Sequence, residues 1–139
     1  MVMGEEDRAI ANLALPENVR HFFSSKWNIE QLHPPQFEAM DAVFDQSNVL
    51  LAIPTASGKS LVAYIAILNQ LLIQNPGSRA VYIVPLKALA SEKFEELKEI
   101  GAEIGLKIGL GVGDATAEAK NIEDCDHHSS LPYSDHSNL

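Results

Sequence analysis

The sequence contains little that would place it in a membrane or in an oxidising compartment. Cys125 is its only cysteine, so an internal disulfide is excluded and a reducing compartment is favoured. Its longest apolar run, LVAYIAIL at 61–68, is far shorter than the roughly 20 residues that cross a bilayer. The first residues, MVMGEEDR, are acidic and lead into no apolar signal core. We therefore predict a cytoplasmic protein that makes no contact with membranes.

Basic residues are also scarce. Ten Lys and Arg stand against 19 Asp and Glu, which gives a formal net charge of −9. This balance disfavours non-specific electrostatic binding to DNA or RNA, although a local contact with nucleic acid stays open. Arginine occurs only at positions 8, 20 and 79, so the arginine cluster expected in the lid of a small P-loop kinase is missing and that enzyme class is disfavoured.

What the sequence does contain is an alternation of apolar segments with two different periods. Helical spacing of apolar residues predicts helices over 16–27, 34–44, 59–74 and 85–101. Short continuous apolar runs predict buried strands at 49–53 and 80–84, and a weaker strand at 106–112. Strands that alternate with helices predict an α/β fold with a mostly parallel sheet and flanking helices. The pattern stops after Asp126, and the polar segment 127–139 is predicted to be a disordered tail.

The stretch LAIPTASGKS, at 51–60, has the features of a phosphate-binding loop. A predicted strand, a tight loop at 54–58 and a long helix from Lys59 form the context that such a loop requires. Backbone N–H groups at the start of the helix would attract a polyphosphate. The pattern departs from G-x-x-x-x-G-K-[ST] at one position, because Ile53 replaces the first glycine. From these residues alone, a strand-to-helix turn that contains GKS without binding phosphate stays open.

Four linked motifs extend the interpretation beyond this loop. PTASGKS, together with LHPPQFEAM, VPLKALASEKFEEL and GLGVGD, resembles the superfamily 2 nucleic-acid helicases. The resemblance is greatest to the archaeal DNA helicases that act on stalled replication forks, in which the first glycine of the loop is commonly replaced. It covers about residues 12–126. The resemblance implies that residues 1–126 are the N-terminal part of the first RecA-like motor domain, with an incomplete sheet, in an ATP-dependent DNA helicase.

The resemblance also implies a nucleotide site with ATP and Mg²⁺ as cofactors. Gln36 matches the glutamine that reads adenine, since its amide can both donate and accept. Lys59 would reach the β- and γ-phosphates and assist phosphoryl transfer, and the Ser60 hydroxyl would bind Mg²⁺. The ATP-binding residues implied in this way are Gln36, Pro54, Thr55, Ala56, Ser57, Gly58, Lys59 and Ser60. For Gln36, a solvent-facing glutamine at a helix start is the alternative.

A second set of residues matches the helicase segments that lie along nucleic acid. A helix start, a hydroxyl and a lysine can hold phosphates there without reading base sequence. The residues of this set are Pro85, Leu86, Lys87, Ala88, Ser91, Gly113 and Asp114. The implied partner is single-stranded or forked DNA, with RNA left open. A helix start whose lysine is merely solvated is the alternative for this segment.

The chain departs from the helicase pattern in its hydrolytic residues. No apolar run in the sequence is followed by an Asp-Glu pair, the motif that holds Mg²⁺ and positions the attacking water in these helicases. No second motor domain with its arginine fingers is present in the 139 residues either. We therefore predict a fragment with no complete catalytic set, which binds ATP but does not hydrolyse it alone. The alternatives are a non-catalytic module that binds nucleotide or nucleic acid, and a gene remnant.

Overall fold

The computed structural model describes residues 4–54 and 58–113. The chain divides into two compact units, Met1–Val81 (unit 1) and Tyr82–Leu139 (unit 2). The predicted tail at 127–139 lies outside the described residues. Among the helices that the structure describes, none combines the length and the apolar character that a membrane crossing needs.

The helices of unit 1 follow the sequence closely. In chain order they are two short 3-10 turns at Glu5–Arg8 and Ile10–Asn12, then α1 (Glu17–Ser25), α2 (Pro34–Glu38), α3 (Met40–Phe44), α4 (Lys59–Asn69) and a π-helical turn at Gln70–Gln74. The helices predicted over 16–27 and 59–74 are thus confirmed. The helix predicted over 34–44 is divided at Ala39, whose N–H bonds to the Gln36 carbonyl three residues back and tightens the chain locally.

The core of unit 1 includes residues of both α1 and α4. Phe22 and Phe23 of α1 are buried, as are Tyr64 and Ile65 of α4. Trp27, the only tryptophan of the chain, lies beside this cluster, with its ring centroid 5.2 Å from that of Phe22 and 6.0 Å from that of Tyr64. Aromatic pairs at these separations add to the stabilisation that burial of their area provides. The helix that begins at Lys59 is therefore anchored on the main hydrophobic core of unit 1.

The predicted sheet is wrong. Within residues 4–54 and 58–113 no strand forms, and the β-type pairing there is a single antiparallel bridge between Ala9 and Gln31. The segments 49–53, 80–84 and 106–112 have no regular structure. They are not buried strands either, since Leu50 is 96% exposed and Ile83 is 74% exposed. An α/β architecture of the RecA-like kind is accordingly not what this structure shows.

The error has a physical reason. A run of apolar residues indicates that a segment can be buried, but a strand forms only where a second segment accepts and donates its backbone hydrogen bonds. Periodicity cannot distinguish a buried strand from another apolar segment when the run is only five residues long. Helices close their hydrogen bonds within the segment, so the same sequence reasoning succeeds for them.

In unit 2 the structure describes one helix, the five residues before it and the segment that follows it as far as Gly113. Helix α5 spans Lys87–Ile104, so it extends beyond the predicted end at Gly101 and stops at Gly105, which has φ +79°. Gly101 lies inside the helix, and a Cβ there would stand 2.6 Å from the Leu106 carbonyl oxygen. Gly101 thus permits the chain after α5 to run back against the helix.

Candidate nucleotide-binding site

The candidate site is built around the first turn of α4. Gly58 precedes the helix with φ +73°, a left-handed conformation that glycine adopts without strain. The Gly58 carbonyl accepts a hydrogen bond from the Leu61 N–H at 3.1 Å, which closes the first turn. Lys59 is then the first helical residue, and the half-buried Ser60 is the second. The predicted helix start at Lys59 and Ser60 is confirmed, although no strand forms over 49–53 before it.

The Lys59 side chain is exposed and folds back toward the segment before the loop. Its Nζ donates a hydrogen bond to the Ile53 carbonyl oxygen at 3.0 Å. The Lys59 side chain therefore links the start of α4 to the backbone at Ile53. A neutral carbonyl is a weaker partner for an ammonium group than a phosphate oxygen, so a bound polyphosphate can replace this bond. Pro54 is exposed beside it, whereas Thr55, Ala56 and Ser57 lie outside the described residues.

Gln36 is brought to the same place by α2. Its side chain is only 2% exposed, and both ends of its amide are used by the backbone. The Oε1 atom accepts a hydrogen bond from the His33 N–H at 2.7 Å, and the Nε2 group donates one to the Gly58 carbonyl at 2.9 Å. The solvent-facing alternative for Gln36 is therefore wrong. A buried amide with both ends paired is part of the scaffold that holds the loop.

Gly58→Ala is expected to lower the free energy of unfolding of unit 1 by about 2–3 kcal/mol. The left-handed conformation costs a residue with a Cβ about 1–2 kcal/mol. In addition, the new Cβ would lie 2.2 Å from Gln36 Nε2, so the amide must move off the Gly58 carbonyl, and the lost hydrogen bond adds about 1 kcal/mol. Urea unfolding followed by the fluorescence of Trp27 measures the change.

The matched control is Gly77→Ala. Gly77 has φ +87°, but no heavy atom lies within 4 Å of the position of its Cβ. This variant carries the conformational strain without the collision, so it is expected to lose about 1–2 kcal/mol. Equal losses in the two variants would show that the contact between Gly58 and Gln36 does not contribute.

The residues predicted to contact nucleic acid lie in unit 2. Pro85 and Leu86 are exposed immediately before α5, and Lys87 and Ala88 are its first two residues, also exposed. The Ser91 hydroxyl, one turn later, donates to the Lys87 carbonyl at 3.3 Å. These five residues therefore share one end of α5, as predicted. Gly113 lies in a bend at the end of the described chain, and Asp114 lies outside the described residues.

The charge on α5 is not uniform. The helix carries three lysines and five glutamates, and the glutamates all follow Ser91. Burial disfavours the charge on Lys93, but hydrogen bonds and attraction from Glu96 and Glu92 outweigh it and raise its pKa above 10.5. Because Lys93 is paired with both glutamates at 3.2 Å, its charge is already neutralised locally. The start of α5, where the helix dipole is also positive, is its most favourable end for a phosphate.

In unit 1 the structure thus brings Gln36, Gly58 and Lys59 together. In unit 2 it places the residues predicted to contact nucleic acid, from Pro85 to Ser91, at the start of α5. Sequence reasoning missed two groups of the candidate site, the Ile53 carbonyl and the His33 N–H. Both are backbone groups, which every residue except proline supplies, so no signal in the sequence could have found them.

The profile of the DEAD/DEAH box helicase family matches residues 33–137, which is more than half of the chain. The chain belongs to the DEAD/DEAH box helicase family. Within this family it is similar to archaeal proteins named ATP-dependent DNA helicase Hel308, so the resemblance inferred from the four motifs is confirmed.

Two of these helicases show the extent of the likeness. The Hel308 helicase of Pyrococcus abyssi is 50% identical over 91 residues, which cover 65% of this chain and 12% of the relative. The Hel308 helicase of Methanocella arvoryzae is 47% identical over 91 residues, again 65% of this chain and 12% of the relative. The chain therefore spans about an eighth of the length of these helicases. The matched family range contains Gln36, Gly58, Lys59 and Ser60.

Proposed function

We propose that this chain is the ATP-binding portion of an ATP-dependent DNA helicase. The observation that carries the proposal is the placement of Gly58, Lys59 and Ser60 at the first turn of α4, in a chain of the DEAD/DEAH box helicase family. Helix α4 is anchored on the core of unit 1, so this turn is rigidly supported. The names of the archaeal relatives state both ATP dependence and DNA as the substrate of those proteins.

Each residue of the turn has a proposed role toward the triphosphate. Lys59 gives up the Ile53 carbonyl and pairs with the β- and γ-phosphates, while the N–H groups at the start of α4 bind phosphate oxygens. The Ser60 hydroxyl is a ligand for Mg²⁺, which neutralises phosphate charge when it is bound. Within residues 4–54 and 58–113, no group of three or more His, Cys, Asp or Glu side chains is placed to hold a metal ion.

We also propose that the start of α5 contacts the DNA backbone. The exposed Lys87 and the positive end of the helix dipole would attract phosphate, and the Ser91 hydroxyl is one turn away. The glutamates that follow Ser91 in α5 would repel phosphate, so a DNA strand would stay at the start of the helix. Contacts by Gly113 and Asp114, like those by Thr55, Ala56 and Ser57 with ATP, stay predictions. So does the cytoplasmic location.

The chain alone is proposed to bind ATP without hydrolysing it. Phosphoryl transfer requires metal-holding carboxylates, a positioned water and charge stabilisation of the transition state. The sequence has no Asp-Glu pair to supply the first two. An arginine finger is worth about 10³–10⁵ in rate, and the 139 residues hold none of the kind that the second motor domain supplies.

Two measurements on the purified 139-residue chain test this proposal. Isothermal titration with Mg-ATP is expected to show one saturable site per chain. A phosphate-release assay with single-stranded DNA present is expected to stay at the background rate, because the hydrolytic residues are missing.

A full-length Methanocella arvoryzae relative is the control for the hydrolysis assay, since it is named as an ATP-dependent DNA helicase. The absence of any saturable Mg-ATP binding would overturn the proposed nucleotide site. DNA-stimulated phosphate release by the 139-residue chain would instead leave that site in place and refute the claim that the chain is inactive alone.

A further inference from the structure

A short segment of unit 2 exposes apolar side chains that neither of the proposed phosphate contacts requires. The segment covers residues 82–86 and leads directly into α5. Within it, Ile83 is 74% exposed and Leu86 is 65% exposed. Apolar side chains add nothing to an electrostatic contact with phosphate, so ATP and the DNA backbone leave both exposures unexplained. Neighbouring exposed apolar residues are typical of a surface that binds another molecule.

The backbone of segment 82–86 is held in an extended form. Leu86 has φ −125° and ψ 137°, which lie in the extended region. Pro85 fixes its own φ near about −65° and disfavours helical values in Val84, the residue before it. Exposure also alternates, since Ile83 and Pro85 are exposed while Val84 is half-buried. The segment therefore already has the shape that a partner strand can pair with, which lowers the ordering cost of binding.

The backbone groups of Ile83, Val84 and Pro85 form no hydrogen bond with any other residue that the structure describes. Ile83 and Val84 each offer an N–H donor, and all three residues offer a carbonyl acceptor. A strand from another molecule can satisfy these groups with main-chain hydrogen bonds, a binding mode known as β-augmentation. In this mode the backbone pairing provides affinity, and the side chains at alternate positions provide specificity.

The charges near the segment indicate which kind of strand it fits. No Asp or Glu occurs between Asp45 and Glu92, whereas the average acidic density of the chain would place about six there. Lys87 directly follows the segment, and Arg79 precedes it by three residues in the sequence. Opposite charges on paired strands stabilise the pairing, and like charges destabilise it. A partner strand that carries carboxylates is therefore favoured over one that carries lysines.

We propose that segment 82–86 binds an extended strand of another protein, with apolar side chains at alternate positions and carboxylates at both ends. The strand pairs with the backbone of Ile83 and Val84 and covers the Ile83 side chain. With a carboxylate at each end, one of them lies beside Lys87 in either strand direction. A second copy of this chain is a poorer partner, because two chains of net charge −9 repel each other. This inference does not depend on the proposed nucleotide site.

A synthetic peptide of sequence Glu-Val-Thr-Val-Thr-Val-Glu, with blocked ends and a fluorescent label, is the probe. Fluorescence anisotropy is expected to show one saturable site on the full 139-residue chain, with or without Mg-ATP. Replacing both glutamates of the peptide by lysine is expected to weaken binding about fivefold, because like charges then meet beside Lys87. Methylating the valine and threonine nitrogens of the peptide removes its main-chain donors and is expected to weaken binding about tenfold or more.

A matched pair of protein variants locates the binding site. Ile83→Glu removes an exposed apolar side chain and adds a carboxylate, so it is expected to bind the acidic peptide about tenfold or more weakly. Because this side chain is exposed, circular dichroism is expected to show the helix content and melting temperature of the wild type. Ile73→Glu is the control, since Ile73 is 42% exposed but lies in the π-helical turn Gln70–Gln74 of unit 1. It is expected to bind the peptide within about twofold of the wild type.

Nuclear magnetic resonance of the labelled wild type gives an independent measurement. The acidic peptide is expected to shift the N–H resonances of Ile83 and Val84 and to slow their exchange with solvent. Shifts confined to other residues, equal binding of the acidic, basic and methylated peptides, or the absence of saturable binding would each overturn the proposal. So would sedimentation in which the wild type forms dimers and Ile83→Glu stays monomeric, because a second copy would then cover the segment.

Discussion

Ile65→Ala is expected to lower the free energy of unfolding of unit 1 by about 2–5 kcal/mol. Ile65 is completely buried on α4, next in sequence to the buried Tyr64. Truncation removes the transfer free energy of the lost methyl and methylene groups and leaves a cavity, because the surrounding structure relaxes only in part. Since small domains are stable by only about 5–15 kcal/mol, this loss is a large fraction of the total.

Urea unfolding measured by the fluorescence of Trp27 reports this change directly, because the Trp27 ring lies 6.0 Å from Tyr64 on the same helix as Ile65. Ile73→Ala is the matched control. Ile73 lies in the π-helical turn that continues α4 and is 42% exposed, so the same truncation is expected to cost under about 1 kcal/mol. If both variants unfold at the same urea concentration as the wild type, α4 does not pack on the core as described.

Lys59→Ala is expected to weaken Mg-ATP binding by about 10-fold to 100-fold. A hydrogen bond to a charged group contributes about 1.5–3 kcal/mol, and each 1.4 kcal/mol is a factor of ten in affinity. The Lys59 side chain is exposed, and its Nζ donates a hydrogen bond to the Ile53 carbonyl oxygen at 3.0 Å. Its removal is therefore expected to leave the stability of unit 1 within about 0.5 kcal/mol of the wild type.

Isothermal titration of the wild type, Lys59→Ala and Lys26→Ala with Mg-ATP measures the effect. Lys26 is another exposed lysine of unit 1, at the end of α1, so its replacement removes the same charge away from the loop. Binding by Lys26→Ala is expected to equal that of the wild type at physiological salt, because distant surface charges are screened there. Equal losses in the two lysine variants would mean that ATP responds to net charge and would contradict the proposed role of Lys59.

The stretch from Ile53 to Ser60 shows how far sequence reasoning reached in the site. Proximity along the chain placed Lys59 and Ser60 at a helix start, and the structure confirms this. The role of Gly58 was predicted only in part, because a Cβ there would meet Gln36, which is 22 residues away in the sequence. A contact across such a distance depends on how α2 and α4 pack, which no local pattern encodes.

The predictions for Gly101 and for the segment 49–53 were wrong for related reasons. Gly101 was interpreted as a helix end, but α5 continues to Ile104, and the missing side chain of Gly101 instead leaves room for the returning chain at Leu106. The run at 49–53 was predicted to be a buried strand, yet Leu50 is 96% exposed and the described chain offers it no neighbouring strand. In both cases the local structure depends on a second segment of the chain, and composition does not show whether that segment packs or pairs there.

The sequence by itself determined the helices, the lysine and serine at the start of α4, and the helicase family, because helical hydrogen bonds and short motifs are local in the chain. The tertiary structure alone decided that Gln36 is buried against Gly58, that Lys59 bonds to Ile53, and that the apolar segments predicted as strands form no sheet within the described residues. These features depend on pairing and packing between distant residues, where a hydrogen bond or a buried surface exists only if both partners meet.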